Sequence, residues 1–297
     1  MKKILIHLES DPKASVFDQI AAYDAGVDQI IPYGGVQPGL ELSGLVYGGM
    51  FTRGGDELKN TAIFIGGTDF AKAQVLMKKV QKLFFGPVRL SVMLDANGSN
   101  TTAAALVHKI VHGRDVKGKK VLVMGGTGPV GIRAAILLAK EGCEVYLSSR
   151  ERPDEIPAEI WKTVQQICNE IEETYGVKIN PAEISNNEDA KRVLAQGMNI
   201  VACCGAPGSQ ILDKEVWMNA PSLEIITDIN AVNPLGVEGI KVSDNAKERE
   251  GKILYGAIAI GNFKMKIHRA AIQSLFKDNN QILDFDSMYE IAKQMEE

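Results

Sequence analysis

The sequence predicts an α/β protein of two domains, and three observations lead to that prediction. The chain has 297 residues, and a domain usually holds roughly 100–200 residues, so two domains are expected. Short apolar runs alternate with longer helix-like segments along the chain, which is typical of βαβ units around a parallel sheet. A glycine-rich segment at residues 126–131 stands between a predicted strand and a predicted helix.

Composition and charge exclude several classes of protein. Lys and Arg number 33 against 37 Asp and Glu, which gives a net charge of −4. This balance argues against nucleic acid as a partner, because phosphate binding needs a basic surface. The chain has no run of about 18 apolar residues, so no membrane span or membrane partner is expected. The apolar run near the N-terminus stops at Leu8 and is too short for a secretory signal.

Cysteine and histidine spacing predicts neither a disulfide framework nor a metal site. Four cysteines occur without a C-x-x-C pair: Cys143, Cys168, Cys203 and Cys204. We expect reduced, buried thiols in a cytoplasmic protein. His108 and His112 have the i, i+4 spacing of a metal pair, but the glutamate of H-E-x-x-H is missing. We therefore interpret them as a surface pair.

The first domain is predicted at residues 1–112. Apolar runs predict strands at 4–8, 29–33, 62–65 and 90–94, and amphipathic segments predict helices at 16–25, 70–85 and 101–112. Gly26 ends the first of these helices, and Gly86 with Pro87 ends the second. Residues 34–60 are rich in glycine and are predicted to be irregular.

The second domain is predicted at residues 113–267, because a polar, basic linker covers 113–120. Predicted strands lie at 121–124, 144–147, 200–204, 223–229 and 253–260, and predicted helices at 132–140 and 158–175. Two more helices are predicted at about 264–277 and 285–296. We expect the C-terminal segment 268–297 to pack back on the first domain.

The glycine-rich segment has the G-x-G-x-x-G spacing of a Rossmann dinucleotide-binding unit. Under this interpretation Gly126 makes the tight turn, Gly128 leaves room for the pyrophosphate, and Gly131 lets the helix pack closely on the strand. The helix N-terminus offers its N–H groups to phosphate. The alternative is a glycine turn that binds nothing. The predicted cofactor-binding residues of the loop are Gly126, Thr127, Gly128, Pro129, Val130 and Gly131.

The end of the second strand of this unit predicts NADP as the cofactor. NAD enzymes usually place an acid there for the ribose hydroxyl, whereas this chain has Ser149, Arg150 and Arg152. An arginine fits a 2′-phosphate, which an acid would repel. The alternative is that Arg150 stacks on adenine and NAD is also accepted. Further predicted cofactor contacts are Gly205, Ala206, Asn230 and Gly261.

Several longer runs are more specific than the glycine loop. They are SVFD at 15–18, YD at 23–24, FTRGG at 51–55, TAIF at 61–64, FFGP at 84–87, MLDANGSNTT at 93–102 and GAIAIGNFKMKIHRA at 256–270. With these runs the chain resembles the NAD(P)-dependent methylene-tetrahydromethanopterin dehydrogenase family of one-carbon metabolism, nearly end to end.

The resemblance implies two α/β domains with the active cleft between them, and a homotrimer or higher homo-oligomer. It implies hydride transfer from the methylene bridge of a reduced pterin to NADP, with a methenyl product, in formaldehyde oxidation. Related folate enzymes that add a cyclohydrolase step carry Tyr-x-x-x-Lys, but here Tyr47 is followed at i+4 by Phe51. Two alternatives stay open: a methylene-tetrahydrofolate dehydrogenase, and a non-catalytic NADP-binding sensor.

Lys264 is the lysine that the family pattern marks as catalytic. Independently, Lys264, Lys266, His268 and Arg269 fall at the start of a predicted helix. Cations there oppose the helix dipole, which suggests that they meet an anionic or polar ligand. The alternative is a solvated basic face.

Candidate substrate contacts follow two predicted strands, where α/β proteins bind ligands. A polar loop after the strand at 90–94 contributes Asp95, Asn97, Ser99, Asn100 and Thr101. We expect them to contact the pterin, although Asn100 or Thr101 could instead only cap the next helix. Ser15, Phe17 and Asp18 follow the first strand and are expected to contribute in the same way.

Overall fold

The chain folds into two α/β units, each built around its own sheet. A computed structural model describes residues 1–149 and 157–295. Unit 1 comprises Met1–Thr101 and Lys264–Glu297, and unit 2 comprises Thr102–Phe263. Both division points fall inside helices, which the polar linker at 113–120 does not indicate. Among the described residues, no helix is long and apolar enough to cross a membrane.

Twelve strands and ten α-helices occur in the described parts of the chain. The strands are β1 (Ile4–Glu9), β2 (Gln29–Tyr33), β3 (Thr61–Gly66), β4 (Ser91–Leu94), β5 (Lys120–Met124), β6 (Glu144–Leu147), β7 (Ile179–Pro181), β8 (Ile200–Cys203), β9 (Ile225–Asp228), β10 (Lys247–Arg249), β11 (Lys252–Tyr255) and β12 (Ile282–Leu283). The helices are α1 (Val16–Asp24), α2 (Leu40–Phe51), α3 (Phe70–Lys82), α4 (Ser99–Val111), α5 (Pro129–Lys140), α6 (Pro157–Tyr175), α7 (Asn187–Leu194), α8 (Lys214–Met218), α9 (Ala257–Ser274) and α10 (Phe285–Lys293).

The sheet of unit 1 has five parallel strands in the order β12-β4-β3-β1-β2. Strand β3 is buried along its whole length, as expected for a central parallel strand covered on both faces. Its apolar residues pack with those of α2 and α3 in one core that includes Ile63, Ile65 and Leu76. The chain leaves β1 for β2 on one side and reaches β3 on the other, so the switch point of the sheet lies between β1 and β3.

The sheet of unit 2 has seven strands in the order β10-β11-β9-β8-β5-β6-β7. Strands β5 to β9 and β11 pair in parallel, and the edge strand β10 is antiparallel to β11. The switch point lies between β5 and β8, as in doubly wound dinucleotide-binding sheets. Trp217 is fully buried in the core on one face of this sheet.

The prediction that residues 34–60 are irregular is wrong, because α2 occupies 40–51. One of its three glycines, Gly49, is closely packed, whereas a Cβ on Gly44 or Gly48 would meet nothing. A Cβ on Gly49 would lie 2.7 Å from Ile6 Cδ1 and 2.9 Å from Leu90 Cδ1. A larger residue at this position would have to displace the ends of these two side chains.

The predicted strand at 253–260 is confirmed for residues 253–255 and wrong beyond them, since β11 ends at Tyr255 and α9 begins at Ala257. Short apolar runs do not distinguish strand from helix by periodicity. At the junction, a Cβ on Gly256 would lie 2.0 Å from the carbonyl oxygen of Lys241, so this residue must be glycine. Because α9 begins earlier than predicted, Lys264 lies in the interior of the helix. The helix-dipole reason for suspecting Lys264 therefore fails.

Candidate active site

Asp95 is the centre of a buried polar cluster in unit 1, at the carboxyl end of β4. It is fully buried, and its Oδ1 accepts from the backbone N–H groups of Asn100 at 3.0 Å and Thr101 at 3.1 Å. Its Oδ2 accepts from the Thr101 hydroxyl at 2.6 Å and lies 3.0 Å from His268 Nδ1. Burial alone would raise the pKa of Asp95, but the bond to His268 and the nearby Lys264 ammonium lower it below its ordinary value.

Lys264 belongs to the same cluster. The residue is only 8% exposed, and its Nζ lies 4.6 Å from the centre of the Phe17 ring, within the range of a cation–π interaction. Gly98 has φ +62°, and a Cβ there would lie 3.0 Å from Lys264 Nζ. Glycine at this position therefore makes room for the ammonium group, which the structure keeps close to the Asp95 carboxylate.

The start of α1 supplies the remaining acid. Ser15 is the N-cap, with its hydroxyl accepting from the Asp18 backbone N–H at 3.2 Å. The Asp18 side chain is 12% exposed, and its Oδ1 lies 3.9 Å from His268 Nε2. Burial raises the pKa of Asp18, and the attraction of His268 only partly opposes this. The structure thus brings together Phe17, Asp18, Asp95, Thr101 and Lys264 within unit 1.

The side chains of Ser99 and Asn100 hold the loop itself. The Ser99 hydroxyl donates to the carbonyl of Ala96 at 2.8 Å, and Asn100 Nδ2 donates to the carbonyl of Leu94 at 2.6 Å. The side chain that accepts the N–H groups at the start of α4 is Asp95, so the alternative that Asn100 or Thr101 caps this helix is wrong. Asn97 is exposed in a left-handed conformation, with φ 51°.

Two buried residues of unit 1, His7 and Glu9, are not among the predicted site residues, and His268 is noted in the sequence only as one of the cations near Lys264. His7 and Glu9 are each 1% exposed and His268 is 0% exposed. An indication was present, because His7 and Glu9 are two residues apart on one strand and so share a face. His268 is four residues beyond Lys264, on the same side of a helix. Its ring packs against Phe17 and Phe64.

The glycine loop of unit 2 lies at the switch point, between β5 and α5. The residue with a left-handed backbone is Gly125, with φ +62°, so the tight turn predicted for Gly126 belongs to its neighbour. A Cβ on Gly126 would lie 2.3 Å from Leu147 Cδ1, and one on Gly131 would lie 2.5 Å from Gly126 Cα. Gly126 and Gly131 therefore let the helix pack against the end of the strand.

The start of α5 fits a pyrophosphate. Gly128 is the N-cap, contributes no side-chain hydrogen bond, and is followed by Pro129. A Cβ on Gly128 would meet open space. The first-turn N–H groups, beginning at Val130, are available to an anion because an α-helix leaves them without intrahelical partners. At the edge of the loop, the Thr127 and Ser149 hydroxyls are 3.2 Å apart.

The remaining predicted cofactor residues are less closely grouped. Gly205 follows β8 and lies beside the turn, since a Cβ on Gly125 would be 2.7 Å from its Cα. Ala206 is exposed. The Asn230 side chain accepts from the Val232 N–H at 2.8 Å and so holds its own loop. Gly261 lies within α9, where an added Cβ would meet nothing.

Two predicted residues, Arg150 and Arg152, lie outside the described residues, and the preference for NADP over NAD stays a prediction of the sequence.

Cys203 and Cys204 are buried, and burial raises both thiol pKa values, that of Cys204 to about 12. This agrees with core thiols.

The prediction that His108 and His112 form a surface pair is confirmed only in part. Their rings stack at 4.6 Å and His112 is exposed, but His108 is buried and also stacks on Phe263 at 4.5 Å.

Comparison of the sequence with known proteins identifies the family of this chain. The model described as methylene-tetrahydromethanopterin dehydrogenase, N-terminal, matches residues 16–97. Bifunctional protein MdtA of Methylorubrum extorquens is 43% identical over 297 residues, covering 99% of both chains. NAD(P)-dependent methylenetetrahydromethanopterin dehydrogenase of the same organism is 28% identical over 302 residues, covering 98% of both.

A solved structure of an N-acetyl-L-ornithine transcarbamylase variant is 12% identical, with a TM-score of 0.51 and coverage of 93% of this chain and 88% of that one. At this identity the likeness concerns the fold alone. The two full-length relatives and the matched family model carry the assignment: the chain belongs to the methylene-tetrahydromethanopterin dehydrogenase family.

Proposed function

We propose that the protein oxidises methylene-tetrahydromethanopterin with NADP, giving methenyl-tetrahydromethanopterin and NADPH. The observation that carries this proposal is the 43% identity to a relative over 99% of both chains. The relative named as an NAD(P)-dependent methylenetetrahydromethanopterin dehydrogenase supports both the pterin and the nicotinamide cofactor. Family membership is also the reason to prefer an enzyme over the NADP-binding sensor.

The reaction needs little acid–base chemistry from the protein. The carbon of the methylene bridge lies between two nitrogens. As its C–H bond breaks, the electron pair leaves as hydride and a nitrogen lone pair forms the C=N bond of a stabilised cation. The bound nicotinamide supplies the hydride acceptor. The protein must align the reacting carbon and arrange charge around the developing cation.

The residues of the two units fit these separate tasks. In unit 2, the N–H groups at the start of α5 would hold the pyrophosphate, with Gly128 leaving the approach open. In unit 1, the Lys264 ammonium would donate a hydrogen bond to a polar atom of the pterin. The carboxylate of Asp95 compensates the lysine's charge, so that the site does not repel a cationic product.

A second candidate is methylene-tetrahydrofolate dehydrogenase activity. It is favoured by one specific observation, that the relative with 43% identity is named a bifunctional protein. The two reduced carriers present the same methylene bridge between nitrogens, so one active site can in principle serve both.

The proposal includes three further expectations from the sequence and its family resemblance: a preference for NADP, a homotrimeric or higher assembly, and a cytoplasmic location.

The test is a reduction assay with purified protein. Methylene-tetrahydromethanopterin and methylene-tetrahydrofolate are each supplied with NADP and with NAD, and the absorbance of the reduced nicotinamide is followed. We expect the fastest reduction with the methanopterin carrier and NADP. Reduction with the folate carrier alone would replace the first proposal by the second. Reduction with neither carrier would contradict both.

A further inference from the structure

A second group of buried polar side chains lies at the carboxyl end of β1 and has no task in the proposed reaction. His7 and Glu9 point to the same face of β1, and both are 1% exposed. Asp18 approaches them from the first turn of α1. One donor atom from each of the three residues lies within 4.8 Å of the other two. The group stands at the switch point between β1 and β3, where sheets of this order bind ligands.

Several polar atoms of this group lack hydrogen-bond partners. Among the described residues, His7 Nε2, Glu9 Oε1 and Ser10 Oγ make no hydrogen bond and are closed off from solvent. His7 Nε2 lies 3.3 Å from Glu9 Oε2, so a protonated His7 would pair with that oxygen. Such an ion pair would still leave Glu9 Oε1 and Ser10 Oγ unsatisfied, and buried polar atoms in native proteins are rarely left so.

Two glycines keep the space around these atoms clear. A Cβ on Gly66 would lie 2.8 Å from Glu9 Oε2 and 3.2 Å from His7 Nε2. A Cβ on Gly67 would lie 1.9 Å from Ser10 Oγ and 3.1 Å from Glu9 Oε1. Any larger residue at either position would press on the unpartnered atoms.

We propose that His7, Glu9 and Asp18 bind a divalent metal ion, for which Zn²⁺ is the best match. One imidazole nitrogen and two carboxylate oxygens are ligands that zinc accepts, and a three-residue site keeps a fourth position open. Ligands bound tetrahedrally at about 2.0–2.2 Å stand about 3.3–3.6 Å apart, and His7 Nε2 and Glu9 Oε2 are 3.3 Å apart. The imidazole favours zinc over Mg²⁺ or Ca²⁺, which prefer oxygen ligands.

Charge and access support an ion over a larger ligand. Two carboxylates gather in a largely buried place, and a divalent cation offsets their charge and supplies the partner that His7 Nε2 lacks. The closed-off donor atoms of His7 and Glu9 are out of reach of a ring such as the pterin. Only Asp18 has partial exposure, at 12%, so the open position of the ion would face that side. The ion would tie α1, which carries Phe17, to β1.

The test measures zinc binding by the full chain without pterin or NADP, so it is independent of the proposed function. The chelator-treated protein is titrated with ZnCl₂ by calorimetry, and its metal content is measured after dialysis. We expect one ion per chain. His7→Gln and Glu9→Gln should weaken binding by at least about 10–100-fold, since losing a ligand costs no less than losing a residue that orients one. His112→Gln, which removes an exposed imidazole elsewhere, should bind as the wild type does.

A partly exposed ligand keeps the test decisive if the buried variants fail to fold. Asp18→Asn should also bind zinc at least about tenfold more weakly, and the same zinc concentration should therefore raise the melting temperature of the wild type more than that of this variant. No zinc binding by the wild type would overturn the proposal. Unchanged binding by Asp18→Asn, or loss of binding in His112→Gln, would overturn it as well.

Discussion

The two units build their sites in opposite ways. In unit 2 the candidate cofactor site is made mainly of backbone groups. At the start of α5, glycines bring N–H groups to an open surface, and few side chains take part. In unit 1 the candidate site is made of buried side chains. The Asp95 carboxylate is hydrogen-bonded to His268 and lies near the Lys264 ammonium. The backbone site comes from one contiguous segment. The side-chain site joins residues 173 positions apart, as in the pair of Asp95 with His268.

This difference predicts how each site fails. A site made of buried charges depends on every partner, because removing one leaves the others uncompensated. A site made of backbone N–H groups tolerates side-chain changes and is sensitive to the addition of a Cβ where the chain packs closely. Four substitutions or conditions test this contrast, in order of expected effect.

Asp95→Ala should have the largest effect on stability. It removes the acceptor of four hydrogen bonds and leaves the buried His268 and Lys264 without their carboxylate. Breaking a buried pair costs about 3–5 kcal/mol, to be read from denaturant unfolding. The control is Asp69→Ala, an N-cap of α3 in the same unit that accepts the Lys72 N–H and forms an exposed ion pair with the Lys72 ammonium. Equal losses in the two variants would contradict the central place of Asp95.

Lys264→Ala should lower turnover by about 10²–10³-fold, or 2.7–4 kcal/mol, the usual cost of one donor aimed at developing charge. Binding of NADP, measured by calorimetry, should be unchanged because the glycine loop is in the other unit. Lys266→Ala is the matched control, since Lys266 is an exposed lysine on the same helix. Near-normal turnover in Lys264→Ala would exclude a catalytic role.

Gly131→Ala tests the backbone site. The new Cβ would lie 2.5 Å from Gly126 Cα, and relieving such overpacking costs about 1–3 kcal/mol. We expect weaker NADP binding together with lower stability, while binding of the pterin is retained. Gly44→Ala in α2 of unit 1 is the control, because an added Cβ there also meets nothing. Normal NADP affinity in Gly131→Ala would show that close packing of α5 is not needed for binding.

The smallest effect concerns a partly buried charge pair of unit 2, in which the Arg249 side chain is 25% and the Asp244 side chain 5% exposed. Arg249 Nη1 and Nη2 lie 2.5 and 2.6 Å from the carboxylate of Asp244. Burial opposes ionisation of Asp244, but the bonds from Arg249 lower its pKa below the ordinary value. The pair therefore stabilises the fold above the unfolded pKa, and its contribution is lost as pH falls through the folded pKa.

Arg249→Gln should cost about 1 kcal/mol or less at neutral pH, measured by denaturant unfolding at a series of pH values. The difference from the wild type should shrink below about pH 4, where the unfolded carboxyl begins to protonate. A difference that grows on acidification would contradict this sign.

The contrast between the units also explains what the sequence could predict. The glycine loop was found from spacing and its place between strand and helix, and β2 and β6 were predicted with their observed bounds. Asp95 and Asp18 were found because they follow strands. His7 and Glu9 were missed because their meaning depends on α1, Gly66 and Gly67 folding around them.

The errors in the predicted secondary structure also arise from contacts between segments that are distant in the sequence. Glycine in α2 serves packing against Ile6 and Leu90, which composition cannot distinguish from loop glycine. The apolar run at the start of α9 fits strand and helix equally. In α2 and at the start of α9, the local sequence pattern fits more than one secondary structure, and tertiary contacts determine which one forms.

The central claim is hydride transfer from the methylene carbon, and one isotope measurement tests it most directly. Methylene-tetrahydromethanopterin carrying deuterium on the methylene bridge is incubated with the protein and NADP, and the products are examined by mass spectrometry. We predict that deuterium appears in the reduced nicotinamide together with a methenyl product, and that Lys264→Ala forms little of either. Reduced cofactor without deuterium, or no reduced cofactor with the wild type, would contradict the claim.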